Sequence, residues 1–337
     1  MEVFGLMALV FIESTSTDPA FNLALEQYLF DHMNPGNDYF FLWQNDNSII
    51  IGKNQNTVEE INSSYVSAHG IKVVRRLSGG GAVYHDLGNV NFTFIVNSKS
   101  YSGIDFGAFT SLIAGALKKL KVPACVNGRN DILADGKKIS GNAQYVKQNR
   151  IMHHGTLMFR SDLETLTHAL NASESKIQSK GIKSIKSRVA NISDYIEESM
   201  GIEEFKSFLV SYLSEMAALV PYTLSEQEVE GVMELKRRVY DTWDWNYGRS
   251  PRYNTVKERR FEGCGEIRLY LYVSQGAIEE FHAYGDYFGV KDAAELSALL
   301  SGVKLSLPDL AEALKTIDVG QYFHNLTREE LMEFLLE

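Results

Sequence analysis

The sequence predicts an α+β protein, with mixed and antiparallel sheets flanked by helices in a first unit and a small α/β accessory unit after it. Three observations carry this. A chain of 337 residues exceeds the usual size of a single domain. Residues 71–96 hold three β-rich segments separated by glycine turns, which suits an antiparallel or mixed sheet. Further on, Trp243 and Trp245 are followed by Gly248, Ser250, Pro251 and Asn254, the composition of a packed connector anchored by aromatic side chains. The first unit is expected over residues 1–247, the connector over 248–253 and the second unit over 254–337.

Taken in order, residues 1–12 are apolar without the positive head of a signal peptide and read as the first core strand. Asp18 is an N-cap with Pro19 at the first helical position. Phe21, Leu25, Tyr28 and Leu29 then recur at helical spacing, and the other face of this helix is polar. Residues 39–43 and 48–51 read as a hairpin around Asn45-Asp46-Asn47. Thr57 and Glu60 have capping-box spacing, and Gly70 ends the helix they start. Strands at 71–75, 82–85 and 90–96 precede a helix over 105–120. Asp135-Gly136 between apolar runs marks a hairpin, and a strand at 152–159 completes the group. Helical patterns cover 162–170, 202–219 and 225–242. Beyond the connector, 260–262, 266–273 and 277–284 read as a small antiparallel sheet, and three helices finish the chain.

The most informative run is Arg75-Arg76-Leu77-Ser78-Gly79-Gly80-Gly81-Ala82-Val83-Tyr84-His85-Asp86. Glycine permits φ > 0 and close backbone approach, so successive N–H groups can converge on phosphate or carboxylate oxygens while arginine adds a charged fork. Standing alone, the run reads equally well as a tight hairpin with flanking charge. The hairpin at Asp135-Gly136 puts Lys137 and Lys138 at the start of a strand, where neighbours point to opposite faces and only one can face a cleft. Cys125, in an apolar strand-like run, reads as a small buried core residue, and Cys264, between two glycines, as a turn residue. Two cysteines so far apart suggest neither a disulfide framework nor a zinc site, and His85, His153 and His154 lack a metal-ligand spacing. Asp86 reads as a turn-former.

These runs, in this order, resemble the two-domain type of lipoate-protein ligase, within the biotin/lipoate ligase superfamily. The matching pieces are Arg76 to Asp86, Gly128-Arg129-Asn130-Asp131, Lys138-Ile139-Ser140-Gly141, His153-His154-Gly155-Thr156 and Trp243-Asp244-Trp245-Asn246-Tyr247-Gly248. The resemblance extends from Asp18-Pro19-Ala20-Phe21-Asn22 to the C-terminal segment. It implies a biotin/lipoate ligase-like catalytic domain that uses ATP to turn lipoate into lipoyl-AMP and then acylates a lysine of an acceptor protein. The implied cofactors are ATP and Mg²⁺, and the implied acceptors are lipoyl domains of 2-oxoacid dehydrogenase E2 subunits and the glycine cleavage H protein. Nucleotide contacts fall on Arg76, Gly81, Ala82, Val83, Tyr84 and Lys138. Lys138 is the implied catalytic residue, touching both the carboxylate and the α-phosphate, with Gly79, Gly80 and His154 beside it at the lipoate. Asp131 is the candidate Mg²⁺ ligand.

The chemistry accounts for these residue types. A carboxylate needs a better leaving group than oxide before it can acylate an amine, and adenylation brings two anions together, which calls for cations and N–H donors. A compact ammonium suits such a bridge. No enzyme nucleophile is required. The alternative is an ATP-independent octanoyl or lipoyl transferase working through a cysteine, for which Cys125 is the candidate in the first unit. The Gly-Arg-Gly-Arg signature of biotin ligases is absent.

A net charge of −10 argues against a general nucleic-acid binder, and no apolar run approaches the roughly 20 residues that span a bilayer, so a soluble cytoplasmic protein is expected. Lys176, Lys180, Lys183, Lys186 and Arg188 nevertheless form a run without an acid. It reads as a solvated loop, or as a segment that closes over the adenylate or meets an acidic partner. Closure of this loop or of the two units is expected to keep water from the anhydride.

Overall fold

The computed structural model describes residues 8–97, 106–127, 130–170, 188–197, 199–248 and 253–337. In the first part of the chain the strands are β1 (Leu9–Glu13), β2 (Asp38–Trp43), β3 (Ser48–Ile51), β4 (Lys72–Arg75), β5 (Val83–His85), β6 (Asn89–Asn97) and β7 (Ala124–Asn127). They are followed by β8 (Asp131–Ala134), β9 (Lys137–Lys147), β10 (Arg150–Met158), β11 (Leu219–Pro221), β12 (Thr255–Phe261), β13 (Gly265–Ser274) and β14 (Ala277–Gly285). The α-helices are α1 (Pro19–Asp31), α2 (Thr57–Glu60), α3 (Ser63–Ala68), α4 (Gly107–Lys119), α5 (Leu163–Ala169) and α6 (Ile202–Ser214). After these come α7 (Glu226–Leu235), α8 (Trp243–Asn246), α9 (Glu295–Leu300), α10 (Leu307–Ala313) and α11 (Arg328–Leu336).

A large mixed sheet runs in the order β11-β1-β2-β6-β10-β9-β8-β7. Strands β1 and β2 are parallel, α1 making the crossover between them, while β2, β6, β10 and β9 pair antiparallel. Strand β6 shows how the sheet is buried on both faces. Val90, Phe92, Phe94 and Val96 point into a core with Phe109, Ile113 and Leu117 of α4 and Phe205 and Leu209 of α6. Ile95 points the other way, into a core with Leu25 and Leu29 of α1 and Val232 of α7. Ile50 and Val74 join that second core, so the small sheet β4-β3-β5 covers part of the same face.

The last part of the chain has its own core. Ile267, Leu269 and Leu271 of β13 and Ile278 and Phe281 of β14 pack against Leu296, Leu310, Leu331 and Phe334 from α9, α10 and α11. This unit docks on the first at definite points. Phe288 inserts into the core shared with Phe106, ring centroids 5.1 Å apart, and Gly285 N–H donates to the Asn54 carbonyl at 2.7 Å. Arg268 pairs with Glu59 at 2.8 Å.

Behind this contact lies Arg75, 1 % exposed. Its guanidinium donates to the carbonyls of Gly52, Lys53 and Gln55 from one loop, to Trp245 and Asn246 from α8, and to the Thr57 hydroxyl. Asn246 returns the contact through its side-chain oxygen, which accepts from Arg75 N–H at 2.8 Å.

Several expectations change. Residues 39–43 and 48–51 are not a hairpin: β2 belongs to the large sheet and β3 to the small one, because the loop between them carries the chain from one layer to the other. Thr57 is not an N-cap but the first residue of α2, its hydroxyl taken by Arg75 and Asn246, and the chain breaks at Ile61 into two short helices. The polar face of α1 is not solvated, since Asn22 and Glu26 are 0 % and 1 % exposed. Leu219 begins a strand and not the end of a helix. Trp243 is exposed and stacks on Tyr247 at 4.3 Å, so the connector is anchored by Trp245 and Asn246 instead. Cys125 is exposed on the edge strand β7, because its run lies at the end of the large sheet with no strand beyond it among the described residues; Cys264 is a buried turn residue. Of the basic run, Lys176 to Lys186 lie outside the described residues, as do Gly128 and Arg129.

Candidate active site

The cleft lies on the α1 face of the large sheet, and strand register builds its floor. Across β2, β6, β10 and β9, Phe41, Thr93, His154 and Ala143 stand opposite one another in one row. Two residues further along, Trp43 faces Asn91, Asn91 faces Thr156, and Gly141 of β9 donates its N–H to Thr156 Oγ1 at 3.1 Å. Asp131 of β8 pairs with Gly141 and extends this second row. Side chains of period two thus make a floor that is apolar at one end and polar at the other. Leu23 and Ile50 add apolar wall, and the glycine loop closes the cleft, whose volume is about 560 Å³ including its mouth.

Lys138 reaches this floor because of a β-bulge. Asp131 pairs with Gly141, Ile132 with Ser140, but Leu133 with Lys138, so Ile139 is the extra residue and turns into the core. The bulge brings Lys138 onto the same side as Gly141 and Asp131. Its Nζ lies 2.8 Å from Asp131 Oδ1, both side chains about one-third exposed, without the alignment of a hydrogen bond. Its backbone is pinned by Arg188 and Ala190, with Lys138 N–H donating to the Arg188 carbonyl at 2.7 Å. Gly141 supplies the space: a Cβ there would lie 2.7 Å from Lys138 Nζ. Because the obstacle is the tip of a flexible chain, Gly141→Ala is expected to displace the ammonium and leave the fold intact. Turnover should fall about 10- to 100-fold, as a misplacement of about 1 Å does, at an unchanged unfolding midpoint. Parallel measurement of kcat and thermal unfolding checks this, and an unimpaired kcat would remove Gly141 from the account.

The glycine loop divides by role. Gly79 lies against the Tyr287 carbonyl, which would sit 2.4 Å from a Cβ. Gly80 has φ +87° and donates its N–H to that carbonyl at 3.3 Å, with Phe288 pressed behind it. Of the successive N–H groups expected to meet an anion, that of Gly80 is therefore engaged by the second unit, while Gly81 lines the open cleft. Arg76, 5 % exposed, uses its fork to hold this loop, donating to the carbonyls of Gly79, Gly81 and Ile50 and to Ser78 Oγ. Burial pushes its guanidinium down to about 10, which leaves it charged at neutral pH.

Of the residues predicted for the site, Arg76, Gly80, Gly81, Ala82, Val83, Lys138 and His154 line the cleft. Gly79 and Tyr84 do not; Tyr84 is buried on the far side of β5, its hydroxyl donating to Asn47. Asp131 touches the cleft through Lys138. Neighbouring His153 points into the opposite core, stacked on Phe109 at 4.6 Å, and burial holds it neutral. His85 also lines the cleft. Asn45 donates to its Nδ1 at 3.1 Å, and burial with the nearby Arg76 charge pushes the imidazole down to about 3.

Sequence reasoning missed Leu23, Trp43, Ile50, Asn91 and Glu26. For Glu26 a signal existed: α1 is apolar almost all round, and such a helix is buried on most sides, which puts its polar residues inside. The others needed the pairing of strands distant in sequence.

A slot in a mixed sheet, apolar at one end, polar at the other where a single ammonium stands, and closed by a glycine-rich turn, suits an enzyme that handles a small apolar acid. The sequence agrees over both units. Residues 18–214 match the model of the lipoyl protein ligase A/B catalytic domain, and residues 250–335 that of the bacterial lipoate protein ligase C-terminus. The chain belongs to the lipoate-protein ligase family. It is 45 % identical to the lipoate-protein ligase LplJ of Bacillus subtilis, covering 97 % of this chain and 100 % of that one. It is 43 % identical to lipoate–protein ligase 1 of Staphylococcus aureus, over 95 % and 97 %. Among solved structures, P. falciparum LipL1 in complex with lipoate superposes with TM-score 0.82 at 26 % identity, covering 98 % of this chain and 99 % of that one. A bipartite lipoate protein ligase of Thermoplasma acidophilum, described with its E2 lipoyl domain, gives 0.63 at 27 % identity over 74 % and 100 %. Lipoate-protein ligase A bound with ATP gives 0.61 at 27 % identity over 72 % and 98 %.

Proposed function

We propose that this enzyme activates free lipoate with ATP and transfers the lipoyl group to the ε-amine of a lysine on lipoyl domains of 2-oxoacid dehydrogenase E2 subunits and on the glycine cleavage H protein. The observation that carries the reading is Lys138 at the polar end of an apolar slot, paired loosely with Asp131. A bound anion can take over from that loose partner, since the pair is only part-exposed and lacks the alignment of a hydrogen bond.

In the first step a lipoate carboxylate oxygen attacks the α-phosphorus of ATP, and the bond to the β-phosphate breaks to release pyrophosphate. Lys138 draws the two anions together, while Arg76 and the backbone of Gly81 to Val83 hold the nucleotide. In the second step the acceptor amine attacks the acyl carbon, AMP departs with the oxygen that bonded it, and the amine proton leaves to solvent. Lys138 then stabilises the oxyanion and the leaving phosphate. Mg²⁺ usually keeps several waters and takes one or two carboxylates besides the substrate phosphates, so Asp131 fits as its protein ligand, where the ion would offset pyrophosphate charge. Residues 1–247 form the catalytic unit, 248–253 the connector and 254–337 the accessory unit in this reading. Its place is the cytoplasm, where ATP and the unmodified acceptors are available.

Lipoate-dependent pyrophosphate release from ATP, measured without acceptor, tests the proposal. Release is expected, and Cys125→Ala should leave it and the transfer step unchanged within about twofold, because an exposed edge residue outside the cleft wall has no part in either. Turnover without ATP that disappears in Cys125→Ala would instead establish the cysteine relay.

A further inference from the structure

A buried chain of hydrogen bonds joins the apolar end of the cleft to the glycine loop. Trp43 Nε1 donates to Thr93 Oγ1 at 3.0 Å, and Thr93 donates to Glu26 Oε1 at 2.7 Å. His154 Nδ1 is 2.8 Å from the same Glu26 oxygen, and its Nε2 is 2.6 Å from Ser78 Oγ. Arg76 Nε donates to Ser78 Oγ at 3.0 Å, and its other nitrogens end on the carbonyls of Gly79 and Gly81. None of these six side chains belongs to a residue more than 6 % exposed.

One set of donor directions satisfies the whole chain. An ionised carboxylate only accepts, so His154 carries its proton on Nδ1. Arg76 already donates to Ser78 Oγ, and His154 Nε2 is the one acceptor that the Ser78 hydroxyl meets among the described residues, so the hydroxyl points to Nε2 and Nε2 accepts. The chain has a negative end at Glu26 and a positive end at Arg76. Each buried charge offsets the other through two neutral groups, which is the condition for burying either. Ser78, His154 and Glu26 have the order of a nucleophilic triad, but Ser78 is 1 % exposed, does not line the cleft and gives its oxygen to Arg76.

We propose that Glu26, His154 and Ser78 are a positioning relay: through them the wall of the acyl pocket sets the grip of Arg76 on the carbonyls of Gly79 and Gly81, so that one hydrogen-bonded unit shapes both subsites. This rests on the reading above for which end receives the acid and which the nucleotide. Glu26 and Ser78 lie outside the cleft wall, so they act on ATP only through the relay.

The test uses the full-length enzyme with Ser78→Ala and Glu26→Gln. In pyrophosphate exchange the KM for ATP is expected to rise about fivefold to tenfold in each, the worth of one hydrogen bond, and no further when the two are combined. A merely structural role would lower the active fraction and kcat and leave both KM values unmoved, which would overturn the relay. Independently of any substrate, ¹⁵N spectra of histidine-labelled enzyme, with the signal assigned by loss in His154→Gln, are expected to show a protonated Nδ1 and an unprotonated Nε2 at pH 7. The opposite tautomer would overturn the relay. Wild-type enzyme without lipoate-dependent exchange would refute the lipoate reading and not this pattern.

Discussion

Lys138→Ala is expected to reduce lipoate-dependent pyrophosphate exchange about 10³-fold, the upper end of what loss of one transition-state donor costs. Transfer from preformed lipoyl-AMP should fall by a similar factor, because in the proposed mechanism the same ammonium faces the oxyanion and the departing phosphate. Folding should be nearly untouched: Lys138 is about one-third exposed and its partner Asp131 can be hydrated when alone. Lys138→Arg is not expected to restore activity, since a planar guanidinium is bulkier than the ammonium that lies over Gly141 and spreads its charge over three nitrogens. Rapid-quench measurement of the two half-reactions separates the steps. Near-normal formation of lipoyl-AMP by Lys138→Ala would sink the assignment.

Arg75→Ala is expected to have the largest effect on stability, a loss of about 4 kcal/mol, because it strips a charged donor from five buried or part-buried carbonyls at once. The loop at 52–55 and α8 would lose their common tie. Asn54, which accepts from Gly285, would then lose its support, so docking of the second unit should weaken as well. Urea denaturation is the measurement, with limited proteolysis near residues 242–254 to show where the chain loosens. Arg75→Lys should recover only a part, one ammonium being unable to span both segments. A cost below about 1 kcal/mol for Arg75→Ala would mean that water replaces the guanidinium and that the tie is not structural.

The local elements were largely legible. The helix opened by Asp18-Pro19, the Asp135-Gly136 hairpin and the antiparallel sheet near the C-terminus are set by short-range rules of capping, turn chemistry and alternation, and the structure has them. Strand β2 shows the limit. Its five residues at 39–43 look like half of a hairpin, yet its partners are Leu9 to Glu13 and Asn91 to Ile95, chosen by which faces the two cores can bury. Cys125 fails for a related reason, since an apolar run is buried only if something lies beyond it, and a sheet edge offers nothing.

The amino-acid sequence by itself determined the family and put Lys138 forward as the candidate catalytic lysine, because both rest on residue types in a fixed order. Tertiary structure alone decided how Lys138 is aimed, through a bulge at Ile139 and a missing side chain at Gly141, and which glycine amide the second unit engages. It also decided that Glu26, whose burial the mostly apolar α1 already signals, meets His154. The physical reason is common to all three: register, burial and orphaned hydrogen-bonding groups are settled between segments far apart in the chain, and no local pattern encodes the far partner.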